Sequence, residues 1–144
     1  MGLLIEYFAA GSDDAAAATI GGGPSAAGFA VLDEWAIEPS IQLANLEEVL
    51  TGRDWQAIAA DGDGIVESRD GGEQLILRLS ERLASALAAA DADELARAAE
   101  PWSQAEEFYG QADPEMLTEF LGALAGLVRQ AGARGEHVYC WASV

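Results

Sequence analysis

Between Asp113 and Gly135 the chain carries one continuous apolar stripe: Met116, Leu117, Phe120, Leu121, Leu124, Leu127 and Val128. Steps of three and four residues put these side chains on one side of a helix. Asp113-Pro114-Glu115 opens it, with proline in the first turn, where its missing N–H is not needed. Arg129 and Arg134 stand near the far end, where cations offset the helix dipole. Such a stripe must be covered by another layer. Gly135 turns the chain directly into "HVYCWAS", a segment of β-forming residues.

The other elements follow from the same local signals. "LLIEYFA" (3–9) reads as a strand, and Ser12 before "DDAAAATI" as a capped helix start. "GGGP" (21–24) ends that helix, and a second strand is expected near Phe29 to Leu32. Pro39 opens a helix whose Leu43, Leu46 and Leu50 share a face, stopped by Gly52. "DGDGIVESRDGG" (61–72) is a loop with a short hairpin arm around Ile65 and Val66, and "EQLILRL" (73–79) is a strand. Ser80 caps a helix carrying Leu83 and Leu87. Asp91 with Glu94, then Ser103 with Glu106, repeat a capping-box spacing for further short helices. No internal repeat or proline-rich linker divides the chain. The expected architecture is therefore a single α+β domain over residues 1–144: a small mixed sheet packed by about five helices, with a long C-terminal helix followed by a final strand.

Charge decides which partners are reasonable. There are 25 acidic residues against 7 basic ones, all of them arginine, and the net charge is −18. Phosphate backbones and anionic lipid repel such a surface, so neither nucleic acid nor a membrane is expected as a partner. A basic protein would be drawn in. The opening "MGLLIEYFAA" has no basic region and is interrupted by Glu6, unlike a secretory leader, and one cysteine makes no internal disulfide. A cytoplasmic protein without cofactor or metal is the expectation.

The reactive-looking residues dissolve on inspection. His137 and Cys140 are the chain's one histidine and one cysteine. On a strand His137, Tyr139 and Trp141 face one way and Val138, Cys140 and Ala142 the other, so the two cannot share a proton. Cys140 reads as a small buried hydrophobe. His137 either lines a cleft with the two aromatics or caps the sheet edge. The acidic loop fails as a calcium site: counted from Asp61, loop positions five, six and twelve hold Ile65, Val66 and Gly72. "GGGPSAAG" (21–28) lacks the ending of a phosphate loop. Gly122 and Gly126 allow close packing of the last helix. The adjacent acids Glu47 and Glu48, and Glu106 and Glu107, have no spacing that implies catalysis. Trp35, Trp55 and Trp102 fall near element ends, where aromatics either plug the core's edge or form an interface.

The order of "MGLLIEYF", "IQLANLEEVLTG", "LSERLASALAAADADELARAAEPW" and "EMLTEFLGALAGLVRQAGARGEHVYCWAS" resembles the YfbM-like family of bacterial proteins. Residues 21–38 and the loop after Trp55 depart from that pattern. The resemblance implies a compact α+β domain and brings no catalytic residues with it. The leading functional expectation is a non-enzymatic, acidic protein-binding module, of the kind an immunity protein or antitoxin uses to neutralise a basic enzyme. The alternative is a small-molecule-binding protein or enzyme with a pocket near Tyr7, Trp102, Glu106 and His137. Tyr109, Tyr139 and Trp141 complete the candidate pocket or interface.

Overall fold

The first apolar run forms strand β1 (Leu4–Ala10), and both of its faces are covered. Ile5 and Tyr7 enter one core; Phe8 and Ala10 enter another. The structure, a computed structural model, describes residues 3–62 and 64–144. Met1 and Gly2 of the opening run and Asp63 of the acidic loop lie outside the described residues.

After β1 come α1 (Asp13–Ala17), α2 (Ile41–Thr51), α3 (Trp55–Ala60), β2 (Ile65–Arg69), β3 (Gln74–Arg78), α4 (Glu81–Ala89), α5 (Ala92–Ser103), α6 (Pro114–Ala133) and β4 (His137–Ser143). Side-chain caps start five of these helices. Ser12, Asp54, Ser80, Asp91 and Asp113 accept from Ala15, Ala57, Leu83, Glu94 and Glu115 N–H groups respectively.

The sheet order is β1-β4-β3-β2. Every ladder is antiparallel, which corrects the expectation of a mixed sheet. β1 and β3 do point the same way, because each runs against β4. A parallel pair is avoided because β4 sits between them, and no local pattern reports which strands become neighbours. The described residues hold six α-helices rather than about five; the addition is α3, capped by Asp54. Two other expectations change. Phe29 to Leu32 forms no strand: Leu32 alone bridges Tyr7, through N···O distances of 3.0 and 2.8 Å. Ser103 caps no helix, because it ends α5 and its hydroxyl donates to the Glu100 carbonyl at 2.6 Å. Glu106–Phe108 is a single 3-10 turn.

Helices α2, α4, α5 and α6 cover the face that carries Ile5, Tyr7, Val138 and Cys140. The α6 stripe meets β1 there, with the Tyr7 and Phe120 rings edge to face at 5.6 Å. The opposite face carries Phe8, Ile76, Tyr139 and Trp141 under Ala16, Ile20, Phe29 and Val31. Gly23 has to be glycine in this cover. Its φ is +90°, and a Cβ there would stand 3.0 Å from the Trp141 ring.

Candidate ligand-binding cavity

Gly52 ends α2 with φ 74°, and Asp54 restarts the chain as α3 two residues later. The corner they make stands away from the end of β3, leaving a cavity of about 580 Å³. Small-molecule sites span roughly 300–1,000 Å³. The helices contribute Leu43, Ala44, Ile58 and Leu83, β3 contributes Leu77, and the other strands contribute Tyr7, Val138 and Cys140. Two lining residues, Ile41 and Trp55, are large apolar side chains left 44% and 42% exposed. Gly64 shapes the rim: with φ +75°, a Cβ on it would lie 2.7 Å from the Arg78 carbonyl oxygen.

The charged side chains Glu47, Asp61, Arg78, Glu81 and Arg82 stand among the apolar groups of the wall. Glu47 is buried, and its Oε2 meets Arg53 at 3.1 Å. The same guanidinium donates to Asp61 at 2.7 Å and to the Ala57 carbonyl at 3.3 Å. That hydrogen bond from Arg53 holds the Asp61 carboxyl below the usual carboxylate range. Tyr7 donates its hydroxyl to the Ile37 carbonyl. Burial pushes both the Tyr7 phenol and the Cys140 thiol well up, so both stay protonated at neutral pH.

A second, shallower cleft of about 320 Å³ lies at the open ends of β1 and β4, lined by Gly11, Ser12, Asp13, Asp14, Arg78, His137 and Tyr139. Tyr139 donates to Asp13 at 2.6 Å, and burial with that hydrogen bond raises its phenol. Arg78 ties the cleft together. It reaches Asp13 at 3.4 Å, the His137 ring at 3.1 Å, and Glu81. Its own proton is held more firmly by the hydrogen bond to Glu81. Among the described residues, no group of three or more His, Cys, Asp and Glu side chains is arranged to hold a metal ion.

The seven residues singled out from sequence are thus dispersed. Tyr7 borders the larger cavity, His137 the smaller cleft, and Tyr139 lines both. Trp102 is fully buried, donating its indole N–H to the Gln42 carbonyl at 2.8 Å. Trp141 is buried under Gly23 on the other face. Glu106 and Tyr109 are on the surface, with Tyr109 84% exposed. His137 and Cys140 stand on opposite faces, Cys140 toward the helices. Sequence reasoning passed over Ile58, Arg53 and the role of Glu47. One signal was readable: Glu47 sits on the helical face of Leu43, Leu46 and Leu50, an acid inside an apolar stripe. No family model, curated protein or solved structure matches this chain.

Proposed function

We propose that the protein binds a small, largely apolar molecule in the cavity between α2, α3 and the end of β3, and does not transform it. The observation that carries this reading is an apolar chamber of about 580 Å³ with two large apolar side chains left at its lining surface. Absence of chemistry is supported by the reactive groups themselves: Cys140 is held as a thiol, and Tyr7 is committed to Ile37. Cytoplasmic residence belongs to the same proposal, supported by the one free, buried thiol. Among the described residues no helix is long and apolar enough to cross a membrane.

The test is a titration with Nile red, a neutral dye that brightens in apolar surroundings, on the wild type and on Ala44→Phe. Ala44 lines the cavity and is half-buried, so a phenyl ring there fills the space. Saturable binding of one dye per chain, lost in a variant that still melts cooperatively, is the expected result. Binding unchanged by Ala44→Phe would remove the cavity from consideration. A second reading, capture of a basic protein, is supported by the net charge of −18 and by exposed Tyr109 beside Glu106 and Glu107. It requires an association rate that falls as salt shrinks the screening length from about 10 Å at 0.1 M to about 3 Å at 1 M. A rate indifferent to salt, or an acidic partner, would dismiss it.

A further inference from the structure

We propose that the ligand of this cavity is an amphiphilic organic cation, an apolar body bearing one ammonium-type charge; the inference rests on the cavity being a ligand site. The most buried charged group in the lining is an acid. Glu47 is 2% exposed, and its ion pair with Arg53 engages Oε2. Arg53 is shared between Glu47 and Asp61, and Asp61, 47% exposed, also has Arg82 3.9 Å away, so Glu47 is the carboxylate of this cluster that is held away from water. A desolvated carboxylate attracts a cation far more strongly than a solvated one does. Trp55 adds a partly exposed indole face in the same lining, the kind of surface on which an organic cation rests.

The groups that would favour an anion are already answered. Arg78 is held by Asp13 and Glu81, and its proton-rich edge also meets His137. Arg82 is 63% exposed and solvated, with Asp61 3.9 Å from its Nε. The N-terminus of α4 is occupied by its own residues: Ser80 accepts the Leu83 N–H, and Glu81 places a carboxylate in the first turn. Beyond the cavity the protein is strongly acidic, at −18 overall, so an anion approaches against the long-range field and a cation with it.

Three probes that share a decyl chain separate these terms by calorimetric titration: decyltrimethylammonium, decanol and decanoate, each below its micelle-forming concentration. The ammonium is expected to bind about tenfold or more tightly than the alcohol, with the carboxylate weakest. Glu47→Gln should weaken the ammonium about tenfold and leave the alcohol unchanged. Trp55→Leu, which leaves the Glu47–Arg53–Asp61 triad intact, should weaken the ammonium by a few-fold more than it weakens the alcohol. An alcohol or carboxylate that binds as tightly as the ammonium overturns the charge assignment while leaving the cavity reading in place. Failure of all three probes to bind overturns both. An ammonium preference that survives Ala44→Phe would mean that the cation sits on the acidic surface, and that also overturns the proposal.

Discussion

Trp102 and Trp141 are both buried, yet their indole N–H groups have different fates. Trp102 Nε1 donates to the Gln42 carbonyl at 2.8 Å, whereas Trp141 Nε1 has no hydrogen-bond partner among the described residues. Replacing either with Phe removes a similar apolar area, so the difference between the two variants isolates the hydrogen bond. Trp102→Phe is expected to cost about 1 kcal/mol more than Trp141→Phe, read from urea midpoints at unchanged slope. Equal costs would show that the Gln42 contact contributes nothing net. Cys140 makes a second residue-level prediction. The residue is 4% exposed and its thiol is pushed up by burial. Maleimide should leave it unmodified for hours at neutral pH and label it at once in denaturant. Rapid labelling of the native protein would show a thiolate open to solvent, contrary to this packing.

At the scale of elements, α2 is the helix whose start was least readable. Ser40 precedes it but holds αR backbone angles, and its hydroxyl caps nothing. Glu38 takes the cap's place: one carboxylate oxygen accepts from Ser40 N–H at 2.7 Å and the other from Ile41 N–H at 2.8 Å. Glu38→Ala is therefore expected to lower stability by about 1 kcal/mol, and Ser40→Ala by less. Thermal melts of the two variants check the order, and a larger loss at Ser40 would reverse the assignment. The caps that were legible in sequence, Ser12, Ser80, Asp91 and Asp113, all satisfy N–H groups within three residues of themselves. Such geometry is local, so a linear reading can find it. The α6 stripe was legible for the same reason, because helical period is a short-range property. The cavity was not. It requires Glu47 on α2, Ile58 on α3 and Leu77 on β3 to line one space with Val138 and Cys140 of β4, and that arrangement is set by packing. Trp102 and Trp141 show the same limit: their positions near element ends gave no clue that one lies under helices and the other under a glycine-rich cover.

For the molecule as a whole, stability should fall at both ends of the pH scale for separate reasons. Asp61 has a lowered folded pKa, so its contribution is present above the unfolded value of about 3.9 and is lost as pH falls through the folded one. The stability gap between wild type and Asp61→Asn should accordingly close in acid, measured by chemical denaturation at stepped pH. Tyr7, Tyr139 and Cys140 are raised instead. Above about pH 8.5 for cysteine and about 10 for tyrosine, the unfolded chain sheds protons that the folded chain keeps, and unfolding becomes easier. Cys140→Ala should move the alkaline onset upward toward about pH 10. An unmoved onset would show that the thiol contributes no part of it. The placement of β4 has a further consequence, for the order in which the protein can be made and folded. Leu4 pairs with Ser143, and among the described residues β1 has no other strand as its ladder partner. During synthesis β1 must wait without its ladder partner, its Ile5, Tyr7 and Phe8 unprotected, until β4 has left the ribosome. Folding is thus bound to the arrival of β4 and to contacts of high sequence separation, which form slowly. Until then the nascent chain depends on whatever holds it apart from its neighbours.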